Sequence, residues 1–496
     1  EAFSFAERSK AFLLYEALQE SKALQFAGIP DSLLQQEYDL RIDIAYYDKK
    51  RQERFSSGVA ATDSILLAFN NKIFDLNRRY ESLKQLLESQ YPQYYKAKYD
   101  LSTVSVQEVR QKLLQPGQSL LEFMVGDSNI YLFLLRPDTF LIHDIKHDFP
   151  LDQWVKDLTQ DGIYGYYALP KDHPERTPAR QKQCDDNYTR AARQLYDKLL
   201  APVEKHLTEQ VVIIPDGVLG YVPFEALLHS DPPRPGAFGS YPASYWLNKH
   251  QISYCYSATL LREMKERSIS PESSGLLAMA PFFLGDTSKL LEAIDTTELL
   301  AENLRDALDP LEFSGKEVAA LAKPWGAKPL YGKNATVQQF QTQAPKHRIL
   351  HLSTHGKADD RQGDYAFLAF SSGQDSTFDK LYARDLYNYS LQADMVVLSA
   401  CETGIGKLKK GEGIVSLARA FAYAGAKSIF TTLWKVSDDK TVDLTLPFYQ
   451  YLRKGWSKDK ALRQAKLDYL KRYKVAPAHP FYWAGMIGIG DMGAVR

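Results

Sequence analysis

The chain has 496 residues, which at roughly 150 residues per domain suggests about two to four domains and not one core. Lysine plus arginine equals aspartate plus glutamate at 61 each, so no overall field draws the chain to nucleic acid or to an anionic membrane. Three cysteines, Cys184, Cys255 and Cys401, stand without CxxC spacing, which argues against a disulfide framework or structural zinc and suits a reducing, cytoplasmic compartment; neither a membrane span nor a signal peptide is expected, since no run approaches 18 apolar residues and no basic leader opens the chain.

The first hundred residues read as amphipathic helices. Leu76, Tyr80, Leu83 and Leu87 recur at steps of four, three and four, which places them on one face of a helix that Pro92 ends or kinks. After Pro30, Ser32 and Gln35 fit a capping box. Composition suggests a helical repeat array, although no 34-residue period is demonstrable. The pattern changes at Pro116-Gly117. Residues 120–125, 130–135 and 140–145, divided by Gly-Asp-Ser-Asn and Arg-Pro-Asp turns, predict a β-meander. A polar stretch at 171–187 leads to a helix and then to the apolar strand Val211-Val-Ile-Ile214. Residues 229–245 read as a long loop and 252–256 as a strand, and a polar break at 266–274 marks a domain boundary.

Beyond that break strands and helices alternate. Apolar runs at 276–280, 348–353, 395–399 and 428–434 are spaced by helices expected at 316–322, 335–343, 415–424 and 458–473. Such alternation predicts a mostly parallel sheet covered on both faces, with chemistry beyond the carboxyl ends of the strands. Two of these runs break off at a reactive side chain. Arg348-Ile-Leu-His-Leu-Ser-Thr-His355-Gly356 ends in His-Gly, and Met395-Val-Val-Leu-Ser-Ala-Cys401-Glu-Thr-Gly404 ends in Cys with Gly three residues on. A thiolate and an imidazole at neighbouring strand ends are what acyl transfer from a peptide bond requires. His355 precedes Cys401 by 46 residues, close to the caspase spacing of roughly 50. Alone, Cys401 would read as a small buried hydrophobe. The His-Gly partner turns that reading, and Gly404 and Gly406 release the chain directly after the thiol. Cys184 and Cys255 have no such partner and read as structural.

Other constellations carry less. His351 and His355 are four apart, but four strand residues span about 13 Å, too far for one metal ion, so His351 reads as a core or supporting histidine and no metal or cofactor is expected. The segment Gly404 to Gly413 invites a phosphate-loop reading before a helix at Ile414, yet Lys409 occupies the third glycine place of G-x-G-x-x-G and no G-K-[ST] follows. Its lysines suit a solvated active-site loop. Asp359, Asp360, Asp364, Glu402 and Asp438 are candidates to line a substrate cleft, with solvated loop carboxylates as the alternative.

These motifs resemble the CHAT peptidases, caspase-like cysteine peptidases that usually carry tetratricopeptide repeats. The resemblance rests on His351-Leu-Ser-Thr-His-Gly356, Leu398-Ser-Ala-Cys-Glu-Thr-Gly404, a helix over 413–426 with Thr432-Leu-Trp434, and the closing His479-Pro-Phe-Tyr-Trp483. Ile214-Pro-Asp-Gly217 with Val222-Pro-Phe-Glu-Ala226 also looks like that family. The match runs from about residue 113 to 491. It implies an α-helical, tetratricopeptide-like regulatory region at 1–112, a pseudo-caspase-like α/β domain without catalytic residues at 113–265, and a caspase-like CHAT protease domain at 266–496.

What the resemblance implies for function follows the chemistry of the two motifs. Cys401 is the nucleophile, His355 the acid–base partner, and the N–H groups of Gly356 and Cys401 are the candidate oxyanion hole; no third catalytic residue stands out. Relatives that cut after basic residues carry an Asp two positions before the Cys, whereas here that place is Ser399, so a basic preference is unsupported. Ser399, Glu402 and Asp438 are the pocket candidates. Family resemblance further implies a dedicated protein substrate of the kind that can be encoded nearby, a role in bacterial antiviral defence or regulated cell death, and a regulatory partner on the helical region. The alternatives are a catalytically silent scaffold that keeps the fold for protein binding, and a nucleotide-responsive switch.

Overall fold

The computed structural model describes residues 1–10, 30–56, 63–91, 103–283, 311–357, 366–373, 378–386, 389–399, 407–409, 413–415, 417–434, 438–474 and 476–495. Two compact units emerge, one of residues 13–102 and one of residues 1–12 with 103–496. The N-terminal helix α1 (Ala2–Ser9) belongs to the larger unit.

Two long helices, α2 (Asp31–Ser56) and α3 (Ser64–Gln90), make the described part of the smaller unit. Leu76, Leu83 and Leu87 are buried along one face of α3 and pack with Leu40 of α2, with Tyr80 partly buried beside them, as the spacing predicts. The start of α2 differs from expectation. It lies at Asp31, so Ser32 falls inside the helix and not at its cap. Asp63 caps α3 instead, accepting from the N–H groups of Ile65 and Leu66 while Arg54 lies 2.8 Å away. Chiefly through the Arg54 hydrogen bond, its carboxyl is lowered to about 2.

The larger unit is built on an 11-stranded sheet. Its first part comprises β1 (Gln118–Val125), β2 (Asn129–Leu135), β3 (Phe140–Lys146), β4 (Gln210–Ile214) and β5 (Gln251–Tyr254). The second comprises β6 (Leu276–Ala280), β7 (Leu330–Tyr331), β8 (Ile349–Leu352), β12 (Met395–Leu398), β15 (Ser428–Thr432) and β16 (Met486–Gly490). Between these run β9 (Gly356–Lys357), β10 (Phe367–Ser371) and β11 (Phe378–Tyr382) as a small antiparallel sheet, and β13 (Lys407–Lys409) with β14 (Gly413–Val415) as a two-stranded ribbon. The order is β3-β2-β1-β4-β5-β16-β15-β12-β8-β6-β7. The predicted meander is present in β1, β2 and β3. From β4 to β7 the pairings are parallel except where β16 meets β15.

Helices cover the sheet: α4 (Pro178–Leu195), α5 (Ala258–Glu266), α6 (Glu312–Ala322), α7 (Val337–Gln343), α8 (Leu417–Ala424), α9 (Asp438–Arg453) and α10 (Lys458–Arg472), of which α6, α7, α8 and α10 lie where the alternation predicts helices. Period two decides which side chain meets which layer. Ile349, Met395 and Val397 pack under α6, α9 and α10 with Val318, Leu321, Phe448 and Leu462. The glycine-rich segment departs from expectation. Residues 407–409 and 413–415 pair as strands, and α8 opens only at Leu417, so no helix starts at Ile414 to receive an anion. At its other end α8 stops at Ala424, and Gly425 follows with φ +120, where a Cβ would lie 2.4 Å from the Leu391 carbonyl. Only glycine fits that turn.

Five contacts explain motifs of the sequence. Glu225 of the Val-Pro-Phe-Glu-Ala segment is buried against Lys466 of α10 at 3.0 Å and accepts from the Tyr254 hydroxyl. Trp434 Nε1 donates to the Phe481 carbonyl, and His479 Nδ1 accepts from the Phe481 N–H, so Thr-Leu-Trp and His-Pro-Phe-Tyr-Trp lock together. The Tyr167 ring stacks on His479 at 3.8 Å. These residues carry structure.

Candidate active site

Parallel pairing brings the two motif-bearing strands side by side. In the β8–β12 register Leu352 faces Leu398, and the N–H of Ser399 donates to the Leu352 carbonyl at 2.9 Å. His355 follows Leu352 by three residues, and Cys401 follows Leu398 by three. Cys401 and Glu402 lie outside the described residues, as do Asp359, Asp360 and Asp364; Asp438 opens α9.

His355 leaves β8 and enters the turn toward β9. Its carbonyl accepts from the Ala369 N–H at 2.9 Å, and its ring meets Phe282 edge-on with centroids 4.8 Å apart. Phe282 comes two residues after β6, whose Met279 carbonyl receives the Ser353 N–H at 2.9 Å. Thr354 is buried and donates its hydroxyl to the Ala369 carbonyl. The imidazole is thus seated at the end of β8, against an aromatic wall from β6 and the first turn of the β9–β10 ladder.

Gly356 faces Leu368 in that ladder. Because His355 and Ala369 form the hydrogen-bonded pair, the next pair belongs to the alternate class, whose N–H groups turn away from the partner strand. The Gly356 N–H is therefore not consumed by β10.

Beneath the strand ends is a carboxylate that motif reading did not single out. Glu317 on α6 is 2% exposed. It accepts from Ser353 Oγ at 2.8 Å, from Ser399 Oγ at 3.0 Å and from Thr445 Oγ1 at 2.8 Å, with His351 Nε2 at 3.6 Å. His351 Nδ1 in turn meets the Tyr449 hydroxyl at 3.0 Å. Desolvation acts to raise the Glu317 carboxyl, yet His351 and the hydroxyl donors outweigh it, so the net direction is downward. His351 is fully buried in this network, a supporting histidine as its place in a strand suggested. One sequence signal marked Glu317: it opens the run Glu-Val-Ala-Ala-Leu-Ala, an acid at the head of an apolar helix face.

The other two cysteines are buried. Loss of hydration pushes the Cys255 thiol up to about 12, and burial raises Cys184 as well, so both suit packing and not nucleophilic attack. Among the described residues no group of His, Cys, Asp and Glu could hold a metal ion, and no helix is long and apolar enough to cross a membrane.

Comparison with known proteins agrees with these motifs. The CHAT domain family matches residues 189–491, more than half of the chain. Tetratricopeptide repeat protein 28 of Mus musculus is 25% identical over 414 residues, covering 75% of this chain and 16% of its own length. The protein of the same name in Homo sapiens is 25% identical over 342 residues, covering 60% and 13%. This chain therefore spans less than a fifth of those curated relatives. Among solved structures, the Saccharomyces cerevisiae separase–securin complex aligns with TM-score 0.47 and 9% identity over 87% of this chain and 34% of that one. The Arg-specific cysteine proteinase gingipain R aligns with TM-score 0.35 and 12% identity over 70% and 74%. With more than half of its length matched by the family model and the expected helix-flanked, mostly parallel sheet in place, the chain belongs to the CHAT domain family.

Proposed function

We propose that the chain is a cysteine endopeptidase acting through Cys401 and His355 on a dedicated protein substrate. The observation that carries this reading is the β8–β12 register, which brings the strand end before His355 beside the strand end before Cys401. In the proposed reaction the Cys401 thiolate adds to the scissile carbonyl, and His355 delivers the proton that lets the amine leave. Water then adds to the acyl-enzyme and the thiol departs. The N–H groups of Gly356 and Cys401 receive the oxyanion, a role supported for Gly356 by its place at the turn in a pair whose N–H groups face away from β10.

Ser399, Glu402 and Asp438 remain the proposed pocket residues. Ser399 Oγ donates to the buried Glu317 carboxylate. We take residues 113–265 as the silent sheet half, 266–496 as the peptidase half and 1–112 as the regulatory region. A cytoplasmic role in bacterial defence or regulated cell death, with a substrate encoded nearby, rests on the family resemblance.

The test is proteolysis with mapped termini. Wild type incubated with candidate substrate proteins should create new N-termini, and Cys401→Ala or His355→Ala should lose at least ~100-fold in rate while keeping the folded far-UV spectrum. Undiminished cutting by either variant rejects the dyad. A wild type that cuts no candidate, yet binds one tightly, would favour the scaffold reading.

A further inference from the structure

The dyad reading makes no use of Glu317, although its surroundings tie it to both motifs. Ser353 stands two residues before His355, and Ser399 stands two residues before Cys401. Both hydroxyls donate to Glu317 Oε2, at 2.8 and 3.0 Å, and Ser399 is shared with Oε1 at 3.2 Å. Thr445 Oγ1 of α9 lies 2.8 Å from Oε1 and 2.7 Å from the Thr441 carbonyl, so its one proton is shared between them, and His351 approaches Oε1 at 3.6 Å. One buried carboxylate therefore joins four elements: the helix that bears it, the ends of two adjacent parallel strands, and α9.

Among the described residues the β8–β12 ladder ends at Leu352 and Leu398, followed by the bond from the Ser399 N–H to the Leu352 carbonyl, while the Ser353 N–H goes to the Met279 carbonyl of β6. The Ser353 and Ser399 hydroxyls add a tie between the two strand ends through Glu317. Hydrogen bonds to an ionised acceptor are roughly twice as strong as neutral ones, and burial removes the competition of water. The chain packs closely around the helix that carries the acid. At Gly315, two residues before Glu317, a Cβ would lie 2.1 Å from the Phe283 ring, so the helix has no room to shift toward the β6 end.

We propose that Glu317 is a positioning residue of the peptidase, holding the ends of β8 and β12, which lead on to His355 and Cys401, at a fixed separation through Ser353 and Ser399. The inference rests on the peptidase reading of those two residues. Glu317 touches no substrate: it is buried and both of its oxygens are occupied. Its effect therefore belongs to turnover and not to substrate affinity.

Two readouts on the full chain test this. The first is steady-state cleavage of a peptide whose cutting by wild type requires Cys401. Glu317→Gln keeps the shape and removes the charge, and should lower kcat about 10- to 100-fold with KM within about twofold, the signature of misplaced reacting groups. Ser353→Ala and Ser399→Ala, which each delete one hydroxyl, should lower kcat less and add little when combined with Glu317→Gln. The second readout is amide hydrogen exchange, which should rise in Glu317→Gln within residues 353–357 and 395–399 together. Wild-type kcat in Glu317→Gln overturns the proposal, as does unchanged exchange in both segments. Loss confined to KM for Lys or Arg substrates also overturns it, because Glu317 would then be a specificity residue. If wild-type cleavage does not need Cys401, the peptidase reading fails, and exchange alone decides whether Glu317 holds the strand ends.

Discussion

Glu204 lies against three donors: Trp246 Nε1 at 2.9 Å, Lys249 Nζ at 3.1 Å and His250 Nε2 at 3.1 Å. Desolvation acts to raise its carboxyl, but the donors, His250 foremost, outweigh it and hold the group at about 2. A folded value below the ordinary 4.5 means that the stabilisation is complete above that pH and is lost as pH falls toward 2. Glu204→Gln should therefore cost about 1–2 kcal/mol at pH 7 in urea unfolding, and the gap between variant and wild type should close as pH approaches 2. A gap of constant size across that range contradicts the assignment. The same residue type behaves otherwise at Glu122, which is fully buried and raised well above its usual range by desolvation and then by Glu7. Such differences explain what the sequence could and could not disclose about the site. The proposed pair, His355 and Cys401, could be drawn from the sequence because each follows an apolar run, with glycine next to His355 and three residues after Cys401. Glu317 carried no signal beyond its place before an apolar run, since its donors come from residues 36 to 128 positions away, and only folding brings them to one carboxylate.

At the scale of elements, α1 and α5 are joined by a single side chain. The Glu7 carboxylate accepts from the N–H groups of Ala258 and Thr259 at 2.8 Å and from the Thr259 hydroxyl, so it takes up donors at the start of α5 that have no partner within the helix. Ser257 caps the same turn through the Leu260 N–H. Lys10, one turn further along, donates to the Phe123 carbonyl and lies 3.7 Å from Glu122. Glu7→Ala leaves two buried N–H groups unpaired and should lower the stability of the larger unit by about 1–3 kcal/mol in chemical denaturation, with faster amide exchange in residues 258–262. A change below 0.5 kcal/mol would show that the clamp contributes little. Local rules predicted β1, β2 and β3 from alternation and turn residues, and α3 from its leucine spacing. The same rules misplaced the start of α8. Residues 413–415 are apolar enough for a helix, but pairing with 407–409 wins them for a strand, and pairing across a loop is not a local property.

The whole molecule depends on a strand that is last in sequence. β16 pairs antiparallel with β15 over residues 486–490 and meets β5 at Tyr254, so the C-terminus closes the sheet between its two halves. Nothing in residues 266–274 foretold this, because the seam is supplied some 210 residues later and on no local cue. The halves are also bolted by charge. Lys466 on α10 and Glu225 of the first half are each buried and lie 3.0 Å apart, and burial, partly offset by Glu225, lowers the lysine. Removing one partner leaves an uncompensated buried charge, so Lys466→Met should destabilise the larger unit by about 3–5 kcal/mol. Replacing both, as Glu225→Leu with Lys466→Met, should restore most of that loss, because the desolvation cost of the two charges disappears with them. Unfolding in guanidinium should remain one transition by tryptophan fluorescence and far-UV circular dichroism if the halves fold together across β16. Separate transitions in Lys466→Met would instead show that the seam strand alone cannot couple them.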